Sequence, residues 1–155
     1  MKKSVIISVF LLILLAGCKE KEAQAVTTEA PEKKEVLNVQ EEPAWKKDIQ
    51  LNNGQQWQAN VETTEGILKM TELIEKSNPS TPEDYQNLGK QLSDENNLVI
   101  KRCTMKGPSH DNLHIYLQPL IGKIGELQAV ESSEKGEQLL AEIKDHLEAY
   151  HSYFI

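Results

Sequence analysis

The residues best equipped for chemistry gather in two places, Cys103 to His114 and the last turn around His151. His110 and His114 are four apart, the spacing that lets one helix offer two imidazoles to one metal ion. Cys103 and Met105 stand just upstream and add a thiol and a thioether. Thiolate, thioether and imidazole together suit Cu(I), and imidazole with thiolate suits Zn(II). Cys103, Met105, His110, His114 and His151 are therefore the candidate metal ligands, with copper or zinc as the ion. The plainer reading is that Cys103 is a small buried hydrophobe and that the histidines line a polar end of the domain. His146 is flanked by charge and lies one position off the apolar stripe of its segment, so it is expected to be solvated. A cysteine beside histidines also has the makings of a nucleophile and base. No Gly-rich oxyanion loop or paired-acid arrangement accompanies them, so the expectation is no catalytic residue and no enzyme.

Four helical patterns must position these side chains. The first runs from Asn60, a suitable N-cap, to about Lys76, with Val61, Ile67, Met70 and Ile74 near one face. Ser77-Asn78-Pro79-Ser80 breaks it, and Thr81-Pro82-Glu83-Asp84 restarts a helix with a cap, a first-turn proline and early acids. This second helix carries Tyr85, Leu88, Leu92, Val99 and Cys103, and Lys106-Gly107-Pro108 stops it. Ser109 is expected to cap the third, whose inner stripe reads His110, Leu113, His114, Leu117, Leu120, Ile121, Ile124 and Leu127. Pro119 falls within that stripe and should kink it. After a polar break from Glu131 to Gly136, the fourth carries Leu140, Ile143, Leu147, Tyr150, His151 and Phe154.

Amphipathic helices joined by short loops pack as antiparallel neighbours. The expected fold class is all-α, an up-down-up-down four-helix bundle over residues 60–155. Residues 45–59 contain Asn52-Asn53-Gly54, the turn chemistry of a short β-hairpin. The bundle topology places the end of the second helix, the start of the third, the end of the fourth and the start of the first at one end. Cys103, Met105, His110, His114 and His151 would then meet there, opposite Asn60, Glu62, Thr63 and Thr64.

The N-terminal segment has the parts of a secretory signal. Lys2 and Lys3 precede an apolar run from Val5 to Leu15 that is interrupted only by Ser8. That run is shorter than the roughly 20 residues a membrane span needs. Leu15-Ala16-Gly17-Cys18 resembles the lipobox of bacterial lipoproteins. The resemblance implies removal of residues 1–17, lipidation of Cys18 and anchorage to a membrane of the cell envelope. Lys19 in place of an aspartate implies the outer membrane if the host is Gram-negative. Residues 18–44 are poor in apolar side chains and read as the lipidated cysteine and a disordered tether.

Cleavage removes two of the 17 basic residues and none of the 24 acidic ones, leaving a net charge of −9. That balance excludes nucleic acid as an expected partner. With Cys18 committed to lipid, Cys103 has no partner for an intramolecular disulfide.

The closing stretch Glu148-Ala149-Tyr150-His151-Ser152-Tyr153-Phe154 resembles the last turn of the soluble b-type four-helix-bundle cytochromes of the periplasm. In that family the histidine of an Ala-Tyr-His segment ligates haem iron. A methionine in an Asn-Met-Glu-Thr stretch of the first helix supplies the other ligand. Here the stretch is Asn60-Val61-Glu62-Thr63, with valine at the ligand position. The resemblance implies the bundle fold and a haem-ligand role for His151 alone, with Met105 or His114 left to complete the axial pair. Met70 lies about 14 Å further along the helix and cannot substitute. No Cys-x-x-Cys-His occurs, which excludes covalent c-type haem.

The functional expectation is an envelope-anchored, non-enzymatic interaction or structural module. Its partners would be the membrane, through the lipid at Cys18, and other envelope proteins. The alternative is a copper- or zinc-binding lipoprotein, and the second alternative a non-covalent haem b electron carrier.

Overall fold

The computed structural model describes residues 42–155. The signal peptide, Cys18 and the tether up to residue 41 lie outside the described residues. Five α-helices follow in order: α1 (Trp45–Asp48), α2 (Val61–Lys76), α3 (Pro82–Arg102), α4 (Pro108–Gln128) and α5 (Ser133–Glu148). A 3₁₀ turn (Ala149–Ser152) ends the last of them. Among the described residues none of these helices is long and apolar enough to cross a membrane.

Local chemistry sets most helix ends. The Thr81 hydroxyl accepts from the Asp84 N–H at 3.2 Å, and the Asp84 carboxylate accepts from the Thr81 N–H at 3.0 Å. This reciprocal pair, with Pro82 at the first helical position, satisfies donors that α3 would otherwise leave open. The Ser132 hydroxyl caps α5 by accepting from the Lys135 N–H at 3.2 Å. For α4 the expected cap is corrected by two residues. Gly107, at φ +66°, is the N-cap, and Ser109 lies inside the first turn with its hydroxyl donating to the Lys106 carbonyl. A positive φ is where glycine carries no Cβ penalty. Asn60 occupies the cap position of α2, but its side chain serves Glu62, Thr63 and the Arg102 carbonyl, not the helix N–H groups.

Contacts between named residues give the directions of the helices. The start of α2 meets the end of α3, where Gly66 lies so close that a Cβ would sit 2.2 Å from Val99 Cγ2. The start of α3 meets the end of α4 at Gly89 and Gln128. The first half of α4 meets the end of α5, with Tyr116 and His146 hydrogen-bonded to each other. Consecutive long helices therefore run antiparallel, and the closing turn of α5 returns to the start of α2, where the Tyr150 and Thr64 hydroxyls lie 3.0 Å apart. Between them lies a core that includes Ile67, Met70, Leu92, Leu113, Tyr116, Leu120, Leu127, Leu139, Ile143, Tyr150 and Phe154, all essentially without solvent contact. Burial on this scale is the main stabilising term of the domain.

The expected hairpin over 45–59 is replaced by other structure. Its turn forms, with Asn52 and Gln55 exchanging backbone hydrogen bonds of 2.8 and 3.0 Å around Asn53-Gly54. No strand extends from it among the described residues. Trp45–Asp48 are helical, and Trp57 makes a parallel bridge with Phe154 at the end of the chain. A two-stranded ribbon needs something to pack on. Here the C-terminal segment offers Trp57 a better partner than the other arm of the turn.

Candidate metal centre

The four helix ends expected to meet do meet. Asn60 reaches the Arg102 carbonyl, Thr64 reaches Tyr150, and Cys103 reaches His110. The loop from Cys103 to Gly107 carries the chain from α3 to α4 with the Cys103 side chain half-buried against the core. The first two turns of α4 then present His110 and His114.

Three of the five candidate ligands form a chain. Cys103 Sγ lies 3.6 Å from His110 Nδ1, and His110 Nε2 lies 3.0 Å from His114 Nε2. The two imidazole rings are edge-to-face, with centroids 4.4 Å apart and planes at 87°. His110 is thus engaged at both nitrogens, by a thiol on one side and an imidazole on the other. Of the two facing Nε2 atoms, one must carry the proton and the other must be bare.

The arrangement differs from expectation in three ways. His114, placed on the inner stripe by the sequence pattern, is exposed, as is Ile121 seven residues on. Tyr116 occupies the interior in their place, because the buried seam of α4 runs through Leu113, Tyr116, Leu117, Leu120 and Ile124. His151 is exposed; its ring lies against that of Tyr150 and its carbonyl accepts from the Gln56 side chain. Met105 packs half-buried against the core. Among the described residues, no three His, Cys, Asp or Glu side chains converge on one point. The cluster is a string of donors and not a closed shell.

The polar residues opposite are occupied with one another. Thr63 is buried, and its hydroxyl donates to Asn60 Oδ1 at 2.7 Å. The Asn60 amide donates to Glu62 at 2.7 Å, which holds that carboxyl below its usual range. Burial pushes the Tyr150 phenol up, Thr64 opposes the shift, and the nearby Cys103 adds to it. Tyr150 is therefore a neutral donor or acceptor near neutral pH.

The site offers no slot for haem as its residues stand. Val61, at the position of the methionine ligand in the family it resembles, is 63% exposed. The fully buried rings of Tyr116, Tyr150 and Phe154 fill the interior near His151.

His146 is the residue that sequence reasoning misplaced most. It is only 4% exposed, not solvated. Its Nε2–H donates to the Tyr116 carbonyl at 2.9 Å, and the Tyr116 hydroxyl donates to the His146 carbonyl at 3.0 Å. Trp45 of α1 covers its ring, with centroids 4.5 Å apart. Burial lowers its pKa to about 4, helped by the positive charges of Lys123 and Lys46 and opposed by the hydrogen bond to Tyr116. The signal was present in the sequence, since Leu139, Ile143, His146 and Tyr150 repeat at spacings of four, three and four.

Comparison with known proteins leaves this geometry as the basis for a functional reading: no family model, no curated protein and no solved structure matches the chain.

Proposed function

We propose that the chain is a non-enzymatic lipoprotein of a bacterial cell envelope, anchored through Cys18, whose His110–His114 end takes up a transition-metal ion such as copper or zinc. The supporting observation is the 3.0 Å approach of the two imidazole Nε2 atoms on the accessible side of α4, beside the Cys103 thiol. Two histidines one helical turn apart need no loop rearrangement to share an ion. The half-exposed setting lets an ion arrive and leave, which fits buffering, delivery or sensing better than a permanent structural site. The lipobox-like Leu15-Ala16-Gly17-Cys18 motif supports the anchor.

The test is an anaerobic competition titration of the purified full chain with Cu(I) and Zn(II), beside a Cys103→Ala/His114→Ala double variant. Stoichiometric binding that the double variant loses is the expected result. Weak binding shared equally by both proteins would remove the metal from this reading. It would leave the broader one, a helical module that binds another envelope protein. The exposed apolar Val61 and Leu68, seven residues apart on α2, favour that reading, and in-cell crosslinking would identify the partner.

A further inference from the structure

The two contacts of the His110 ring offer different donor sets, sulfur with nitrogen on one edge and two nitrogens on the other, and the difference bears on which ion each would hold. A metal ion sits about 2.3 Å from a thiolate sulfur and about 2.0–2.1 Å from an imidazole nitrogen. An ion shared by Cys103 Sγ and His110 Nδ1 at their 3.6 Å separation would therefore subtend about 110°. That is the angle of a tetrahedral or trigonal ion with soft ligands. An ion shared by the two Nε2 atoms at 3.0 Å would subtend about 90°. That is the cis angle of a square-planar ion, the geometry of Cu(II) and Ni(II) bound to nitrogen. Nδ1 and Nε2 occupy different edges of one ring, and their in-plane lone pairs diverge. One ion cannot take both.

We propose that this end of the bundle holds two mutually exclusive half-sites back to back on His110. Cys103 Sγ with His110 Nδ1 is a soft pair for a tetrahedral or trigonal ion, Cu(I) or Zn(II). His110 Nε2 with His114 Nε2 is a nitrogen pair selective for Cu(II) or Ni(II). The inference rests on the metal-binding reading and adds to it a choice of ion by ring edge. Exclusion follows from the tautomer. A neutral imidazole has one bare nitrogen, and the proton is placed on whichever nitrogen the metal leaves free. Filling the soft pair also removes the thiol proton, and it puts the ring proton on Nε2, where it faces His114. Filling the nitrogen pair puts the ring proton on Nδ1, where it faces the sulfur. Occupancy of one half-site therefore opposes occupancy of the other.

The experiment uses the full chain with Ni(II) as a redox-inert probe of the nitrogen pair and Cu(I), under anaerobic conditions, as the probe of the soft pair. Loss of one ligand of a pair should cost no less than the roughly 10–100-fold that loss of an outer-shell partner costs. His114→Gln should weaken Ni(II) by that amount and leave Cu(I) unchanged, and Cys103→Ala should do the reverse. His110→Gln should weaken both, and Ni(II) loading should weaken Cu(I) uptake by the wild-type chain. His114 is exposed, so loss of Ni(II) binding in His114→Gln is not explained by unfolding; circular dichroism checks the other two variants. If Cys103→Ala and His114→Gln each weaken both ions alike, a single three-ligand site exists, and the inference fails while the metal reading stands. If neither ion binds the wild-type chain, both fail together.

Discussion

His146 and His114 are both helical histidines with an aromatic ring within 5 Å of their own, yet their surroundings differ in nearly every physical respect. His146 is sealed among Trp45 and Tyr116, donates to a backbone carbonyl, and keeps a lowered pKa because water has been removed from around it. His114 stands in solvent on α4 with a second imidazole as its hydrogen-bond partner. One ring is part of the core; the other is open to solvent. A histidine's role thus depends less on its sequence neighbours than on what covers it, and for His146 the cover is the single turn of α1.

That contrast can be broken at the cover. Trp45→Ala removes a large buried side chain, for which a loss of about 3 kcal/mol is expected. The His146 pKa should also return toward its ordinary value near 6.5. Denaturant unfolding and a histidine-resolved NMR titration measure the two effects. Unchanged stability with His146 still titrating near 4 would mean that Trp45 is not what seals it.

The second effect concerns pH. The unfolded chain binds a proton at His146 below about 6.5, whereas the folded chain resists until about 4. Stability should therefore be insensitive to this group above pH 6.5. It should fall as pH drops through the window from 6.5 to 4 and level off below, with a total loss of up to about 3 kcal/mol. Groups other than His146 contribute alike in both proteins, so the informative quantity is the difference between the wild type and His146→Gln. The variant should lack this part of the slope. Parallel pH–stability curves would show that His146 is not the group responsible.

The smallest effect is expected at the other member of the comparison. His114→Ala should change the unfolding free energy by no more than about 0.5 kcal/mol, as for a surface substitution that breaks no buried contact. A larger loss in the absence of metal would assign His114 a structural role and weaken the metal reading.

Much of the helical frame was legible because its determinants are local. Thr81-Pro82 with Asp84 and Ser77 to Ser80 mark helix ends through caps, missing N–H groups and φ preferences that a few neighbouring residues supply. The approach of Cys103 to His110 was also legible, since antiparallel packing and a short loop bring the end of α3 to the start of α4. The rotation of each helix was harder to read. In α4, His114 and Ile121 alternate with Tyr116 and Leu120 closely enough that an apolar stripe can be drawn along either line, and the choice between them depends on where α3 and α5 lie.

By itself, the sequence determined the helical class, the positions of four helix boundaries and the set of thiol and imidazole groups at one end of the domain. These follow from propensity, capping and periodicity, which act over about one helical turn. Tertiary structure alone decided that Trp57 pairs with Phe154, that α1 closes over His146, and that His114 faces solvent while His151 stands apart from Cys103 and His110. The physical reason is that burial is a property of surfaces brought together from distant parts of the chain. No local pattern records which of two nearly equivalent helix faces those surfaces will cover.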